Sequence, residues 1–259
     1  MPQNVSSSDS DLTRNLILHD LPPSTLGVLK AHLEPVELTR RMPLELAGRP
    51  IDHAYFPITG VASTVARGVG DHRIEVSLYG RDGMSGAAVL LGADRTPNET
   101  YMQVPGRGFR MPSDTLRRAA SECAALRERM LLYVQASIVQ MSQTALSNGR
   151  NTLEERLARW LLMCHDRTED DVLTLTHDFI SVMLGVRRPG VTVALQTLER
   201  RGLIRAMRGR IRVEDRDGLE QAAAGSYGRA EREYMRLMRF EGSFREASQP
   251  GSRRPDPSE

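Results

Sequence analysis

An α+β fold is predicted for this chain of 259 residues: an N-terminal antiparallel β-roll, one long helix and a C-terminal winged helix-turn-helix. Three observations predict it. Between Leu173 and Val213, two short amphipathic helices and a basic hairpin follow one another across glycine turns. From Val36 to Met111 the chain runs in short apolar segments punctuated by glycine and proline. From Ser113 to Ser147 there is neither, and one uninterrupted helix is expected.

Residues 1–11 are polar and serine-rich and are expected to be disordered. Residues 12–112 form the first domain. It opens with helix between Leu12 and Leu33, broken at Pro22-Pro23. Its candidate strands are Val36–Thr39, Ala54–Phe56, Ala62–Ala66, Ile74–Leu78, Met102–Val104 and Gly108–Met111, with a hairpin around Gly68-Val69-Gly70-Asp71. Short strands with glycine turns suit a jelly roll or a related antiparallel roll.

The long helix spans 113–147. Leu131, Val134, Ile138, Met141 and Ala145 step by three and four residues, the narrow seam of a two-stranded coiled coil, so a homodimer is expected. Leu126, Met130 and Tyr133 widen the apolar face toward the β-roll. Asn148-Gly149-Arg150-Asn151 interrupts the pattern and is read as a hinge.

The C-terminal domain spans 148–223. Thr152 with Glu155 forms a capping-box signature. The helix that follows buries Leu153, Leu157, Trp160, Leu161 and Cys164. Thr176 is the candidate N-cap of the next helix, which carries Phe179, Ile180, Met183 and Leu184 and stops at Gly185. The second helix opens on Arg187-Arg188-Pro189, where proline is tolerated because first-turn N–H groups lack helical acceptors. Val191, Ala194, Leu195 and Leu198 recur at helical spacing before Gly202. The hairpin runs Leu203–Met207, turns at Arg208-Gly209 and returns over Arg210–Val213. Asp217–Ala223 and Ala230–Phe240 read as further helices. The extension, 224–242, is expected to pack Tyr227, Tyr234, Met235 and Met238 back on the C-terminal domain. A tail rich in Ser, Pro, Gly and charge, 243–259, is expected to be disordered.

The formal net charge is only +2, so the overall balance says little about partners. Its distribution says more. Arg187, Arg188, Arg200, Arg201, Arg205, Arg208, Arg210 and Arg212 face only Asp178 and Glu199 in the helix-turn-helix and wing. A helix whose first turn carries arginines can enter the major groove of DNA, where guanidinium pairs bidentately with guanine and the helix N-terminus favours phosphate. Cys123 and Cys164 are the only cysteines: no disulfide framework, no metal cluster, and a fit to a reducing cytosol. No apolar run reaches membrane length and no signal segment opens the chain, so a cytoplasmic protein is expected.

Leu175-Thr176, Ile180, Gly185-Val186, Arg188, Val191, Leu195, Leu198-Glu199 and Leu203-Ile204 resemble the Crp/Fnr transcriptional regulators. So do Pro35-Val36-Glu37-Leu38, Ile51-Asp52-His53, Tyr55-Phe56-Pro57 and Gly80-Arg81-Asp82-Gly83-Met84 in the first domain. The resemblance implies a cyclic-nucleotide-binding-like sensor roll, a dimer helix and a DNA-binding winged helix, with double-stranded DNA and RNA polymerase as partners. It makes Arg188 the base reader, with Arg187 and Thr192 secondary. Thr176, His177, Gln196 and Arg208 are expected at the phosphate backbone. Two positions depart from the family: its glutamate after the arginine is Pro189 here, and its next arginine is Val193.

Gly83, Ser85, Gly86, Arg95 and Thr96 occupy the place of the family's effector pocket. No glutamate sits in that glycine segment, which argues against cyclic-nucleotide binding. Two cysteines cannot supply the four ligands of an iron–sulfur cluster. His53 and His72 read as surface or packing histidines rather than haem ligands, so no cofactor is expected. A cupin-like enzyme is the rival from another class, but the six histidines show no His-x-His spacing for a metal, and no catalysis is expected. A protein-interaction module with a winged helix that does not bind DNA is the other alternative.

Overall fold

The computed structural model describes residues 9–248 apart from Asp20 and Asp71. Helices α1 (Asp9–Leu12), α2 (Leu16–His19) and α3 (Pro23–Lys30) come first. Strands β1 (Glu34–Leu38), β2 (Pro43–Glu45), β3 (His53–Pro57), β4 (Val61–Arg67) and β5 (Arg73–Tyr79) follow. Helix α4 (Ala87–Leu90) then leads to β6 (Glu99–Val104) and β7 (Gly106–Pro112). All pairings are antiparallel, in two sheets ordered β1-β7-β3 and β2-β6-β4-β5. Each of the six expected strands is present; β2, three residues long, carries too short a pattern to read. Leu38, Leu44, Tyr55, Ala62, Tyr79 and Met102 fill the space between the sheets.

The first domain is tied down earlier than its composition suggests. Leu12, inside α1, is wholly buried. Buried Asn15 donates to Pro57 O at 2.8 Å and to Gly83 O at 2.9 Å, pinning this segment across the roll. Residues 1–8 of the expected disordered terminus lie outside the described residues.

The single long helix expected over 113–147 is two: α5 (Ser113–Glu122) and α6 (Ala124–Arg150). Cys123 between them takes an extended conformation, φ −117° and ψ 106°. Helical propensity at Cys123 is only weakly unfavourable, so periodicity alone could not show the break. Leu126, Met130 and Tyr133 face the roll as expected. Val134, placed on the seam by its spacing, is buried within the chain instead; Leu131, Ile138, Met141 and Leu146 remain exposed. The expected hinge at Asn148-Gly149-Arg150 is helix, and α6 ends only at Asn151. Arg156 bridges the join, donating from Nε to Asn148 Oδ1 at 3.0 Å.

The C-terminal domain contains α7 (Leu153–Asp166), β8 (Val172–Leu173), α8 (His177–Leu184), α9 (Arg188–Arg200), β9 (Ile204–Met207), β10 (Arg210–Val213) and α10 (Arg216–Ala222). The capping box at Thr152 and Glu155 is formed, and the third sheet is ordered β8-β10-β9. Its core, centred on Leu157, Trp160, Leu161, Ile180, Val191, Leu195 and Ile211, is continuous with Val61, Val65 and Leu78 of the roll. The two domains therefore share one apolar interior across β4 and β5.

Helices α11 (Arg229–Leu237) and α12 (Phe244–Ser248) complete the chain. The extension expected to pack on the C-terminal domain packs largely on α6 and the roll. Tyr234, Met235, Met238, Phe240 and Phe244 join the core of Phe56, Phe109, Leu126 and Met130. Only Tyr227 among the four named residues packs against the C-terminal core. Residues 244–248 of the expected disordered tail are helical, with Phe244 and Ser248 buried.

Buried polar links cross the domain boundary. Arg167 pairs with Asp82 through Nη2–Oδ2 at 2.7 Å, and Nε lies 3.0 and 3.1 Å from the two carboxylate oxygens. The Trp160 indole N–H donates to Glu75 Oε1 at 2.7 Å. Ser63 Oγ lies 2.6 Å from Glu75 Oε2 and 2.7 Å from Gln103 Oε1. Burial pushes Glu75 from 4.5 up to about 7, outweighing the bonds from Ser63 and Trp160 that favour the anion.

An acid harder to ionise when folded binds more protons in the native state. Stability from Glu75 is therefore present below pH 4.5 and declines as pH rises to about 7, on the order of 3 kcal/mol in all. Urea unfolding of wild type should show that decline. Glu75→Gln should flatten it and be the more stable protein at pH 8; parallel pH profiles would contradict the assignment.

Candidate nucleic-acid interface

Helix α8 begins where Thr176 Oγ1 accepts from Phe179 N at 3.2 Å, satisfying one of the first-turn donors. It ends at Gly185, whose φ of 63° turns the chain sharply toward α9. The turn packs closely on the roll: a Cβ at Gly185 would lie 2.9 Å from Ile74 Cδ1. Helix α9 starts with Arg187 as N-cap, Arg188 in the first position and Pro189 next. Val191, Ala194, Leu195 and Leu198 face the core, while Arg187, Arg188, Pro189, Val193, Gln196 and Arg200 are exposed.

The wing is anchored to this helix. Glu199 Oε1 accepts from Ala206 N at 2.8 Å, and β9 pairs with β10 from Ile204↔Val213 to Met207↔Arg210. Gly209 closes the tip at φ 70°, leaving Arg208 at the outermost point. All eight arginines singled out from sequence are exposed. The helix N-terminus, its arginines and the basic wing thus form one positive surface, the electrostatic requirement for a polyanion.

Residues 155–222 match the Crp-like helix-turn-helix domain. The CRP-like cAMP-activated global transcriptional regulator of Mycobacterium tuberculosis is 23% identical over 222 residues, covering 83% of this chain and 99% of its own. Similar folds are found in a Crp/Fnr-family regulator of Eubacterium rectale and another of Thermus thermophilus. The first has TM-score 0.65 and 15% identity, over 81% of this chain and 98% of that one. The second has TM-score 0.61 and 22% identity, over 74% and 100%. The chain is thus similar along most of its length to Crp/Fnr-family regulators, and it carries a Crp-like helix-turn-helix domain. Within the matched region, α8 and α9 are the two helices of that helix-turn-helix, and β9 and β10 form the hairpin after it.

The seven residues picked out for DNA fall on this surface but differ in availability. Arg187, Gln196 and Arg208 point into solvent. Thr176 is occupied as a cap. His177 Nδ1 and Thr192 Oγ1 lie 3.0 Å apart, joining α8 to α9, and the Thr192 hydroxyl also reaches Arg188 O at 3.3 Å. Arg188 is exposed and held by Asp178, with Nε 3.2 Å from Oδ1. Asp178, one of the two acidic residues among these arginines, is thus the partner of the first arginine inside α9.

Of the five residues expected at an effector pocket, Ser85, Gly86, Arg95 and Thr96 each have hydrogen-bond partners within the chain. Ser85 is bonded to Tyr55 through N–H to Tyr55 O and through Oγ from Tyr55 N. The Gly86 N–H is taken by Glu45 Oε1 at 2.6 Å. Arg95 is exposed and doubly bonded to its neighbour Asp94. Thr96 is bonded through its carbonyl to Gly48 N and through Oγ1 to Asn98 N. A Cβ on Gly83 would lie 2.7 Å from the Tyr133 hydroxyl, so the roll and α6 are in close contact there. A cavity of about 20 Å³ does lie between roll, α6 and α11, lined by Ser77, Tyr79, Asp82, Tyr133, Gln140 and Tyr234 among others. That is room for a water, not a nucleotide. Among the described residues no group of three or more His, Cys, Asp and Glu side chains is arranged to hold a metal.

Asp178→Asn should release Arg188 and remove a negative charge from the surface that meets phosphate. Affinity for duplex DNA in a gel-shift titration is expected to rise two- to fivefold, in keeping with the modest worth of an exposed ion pair. An unchanged affinity would show that Asp178 does not restrain the arginine.

Proposed function

We propose that this regulator acts as a homodimer joined along α6 and reads a palindromic site. The two copies of α9 enter successive major grooves about 34 Å apart. The observation that carries this reading is the arginine-tipped start of α9, held outward by the Gly185 turn and flanked by a basic wing. Arg188 contacts a guanine edge, with Arg187 and Thr192 beside it. Thr176, His177, Gln196 and Arg208 position the phosphate backbone.

Dimerisation is supported by the exposed Leu131, Ile138 and Met141, which follow one another at heptad-like spacing on a 27-residue helix. Four exposed apolar side chains on one helix need a partner, and a second α6 is the matching surface. A reader of this kind works in the cytoplasm beside the DNA and against RNA polymerase. No helix among the described residues is long and apolar enough to cross a membrane. The reading needs no cofactor and no catalysis, because side chains and backbone of α8, α9 and the wing carry the recognition.

Two outcomes are expected. Ile138→Glu should convert the dimer seen by sedimentation at micromolar concentration to monomer, while circular dichroism stays unchanged; a persistent dimer would place the interface elsewhere. Arg188→Ala should relax selection from a random DNA pool at one base pair of each half-site, a loss of about 1–3 kcal/mol, whereas Arg208→Ala should weaken all sequences alike. An unaltered profile for the first variant would remove Arg188 from base reading.

A further inference from the structure

The outward face of α9 is not uniformly polar. At about 100° per residue, Pro189, Val193, Gln196 and Arg200 fall within roughly 60° of one another, opposite the core positions Val191, Ala194 and Leu198. Val193 sits at one edge of that face and is 55% exposed. Of the nine other large apolar side chains exposed among the described residues, four lie on α6, where a second helix accounts for them, and Val28, Leu46, Val69, Leu91 and Met207 lie elsewhere. Val193 is the one on the outward face of α9. Valine at a solvated helix position forgoes some helix propensity and leaves two methyl groups in water.

The side chain has properties that suit contact with an apolar feature of fixed position. A β-branched residue in a helix holds essentially one rotamer, so its methyl groups are pre-positioned. Pro189, one turn earlier, continues the apolar strip toward the helix start, and Thr192 beside it is bonded within the protein. On the docking described above, this strip faces the floor of the major groove. The one apolar group on base edges there is the C5-methyl of thymine, which cytosine and uracil lack.

We infer that Val193, flanked by Pro189, is a specificity-determining residue that recognises a 5-methylpyrimidine, thymine in ordinary DNA, in each half-site. The inference rests on the DNA-reading assignment of α9 and adds a second recognition element to it. Arg188 selects guanine by hydrogen bonds. Val193 selects a neighbouring step by excluding water from a methyl group.

The test uses the full-length protein and the duplex it selects from a random pool. Each thymine of one half-site is replaced in turn by deoxyuridine, which removes only the methyl. At one or two positions affinity should fall about fourfold, the worth of one buried methyl group. In Val193→Ala that penalty should vanish, giving a double-mutant coupling, while thermal stability stays at the wild-type value. Where the penalty occurs, 5-methylcytosine should bind better than cytosine by a similar factor, which separates methyl recognition from contacts to the thymine carbonyl. If deoxyuridine is silent at every position, or its penalty survives intact in Val193→Ala, the inference is overturned. If no sequence is enriched at all, it is the DNA-reading assignment that fails.

Discussion

The arrangement of this molecule depends on the Asp82 carboxylate. Its oxygens accept from Gly80 N and from three contacts of Arg167, whose side chain is almost wholly buried. Its backbone carbonyl accepts from Tyr234 OH at 2.7 Å, and the Arg167 guanidinium lies over the Phe244 ring at 4.9 Å. Asp82 belongs to the roll, Arg167 to the end of α7, and Tyr234 and Phe244 to the C-terminal extension. One residue therefore meets all three parts. Taking both charges out of water is costly, and an apolar pair of the same size could hold the parts as tightly. What the ion pair adds is directionality: a guanidinium meets a carboxylate in a narrow set of geometries, so the parts join in one register.

From that anchor the recognition helix is held by a short mechanical path. Arg167 continues directly from α7, whose N-terminal end is joined to α6 through Asn148 and Arg156. Arg156 also donates to Leu184 O at the end of α8, one residue before the turn that aims α9. The wing is held to α9 by Glu199. A reading surface with two exposed arginines at its tip would otherwise be placed by loops alone. Here each joint has a named hydrogen bond, and the expected hinge at Gly149 is instead continuous helix.

Elements with strong local signals were legible in the sequence. The Thr152–Glu155 capping box, the Thr176 cap, the Gly185 and Gly209 turns and the six longer strands each depend on a few adjacent residues. What was missed depends on distance. Glu75 meets Trp160 and Asp82 meets Arg167 across 85 residues, and neither pair leaves a periodic trace. The extension was misplaced for the same reason, because Tyr234 and Phe244 carry no sign of which core they join. The Cys123 break hides inside an otherwise helical composition, and Asn148-Gly149 looks like a break yet lies within α6, where a single glycine costs only about 1 kcal/mol. At the candidate site, arginines mark the surface, but only exposure distinguished Arg188 and Val193 from residues already engaged inside the fold.

The chain contains one tryptophan, and its indole nitrogen is bonded to a carboxylic group of the opposite domain. Trp160 also lies beside Phe179 of α8, with ring centres 6.2 Å apart, at the root of the helix-turn-helix. The molecule thus carries an intrinsic optical reporter at the junction of its two halves. Water reaching that ring shifts its emission to longer wavelength, so opening of the junction registers as a colour change in the unlabelled protein.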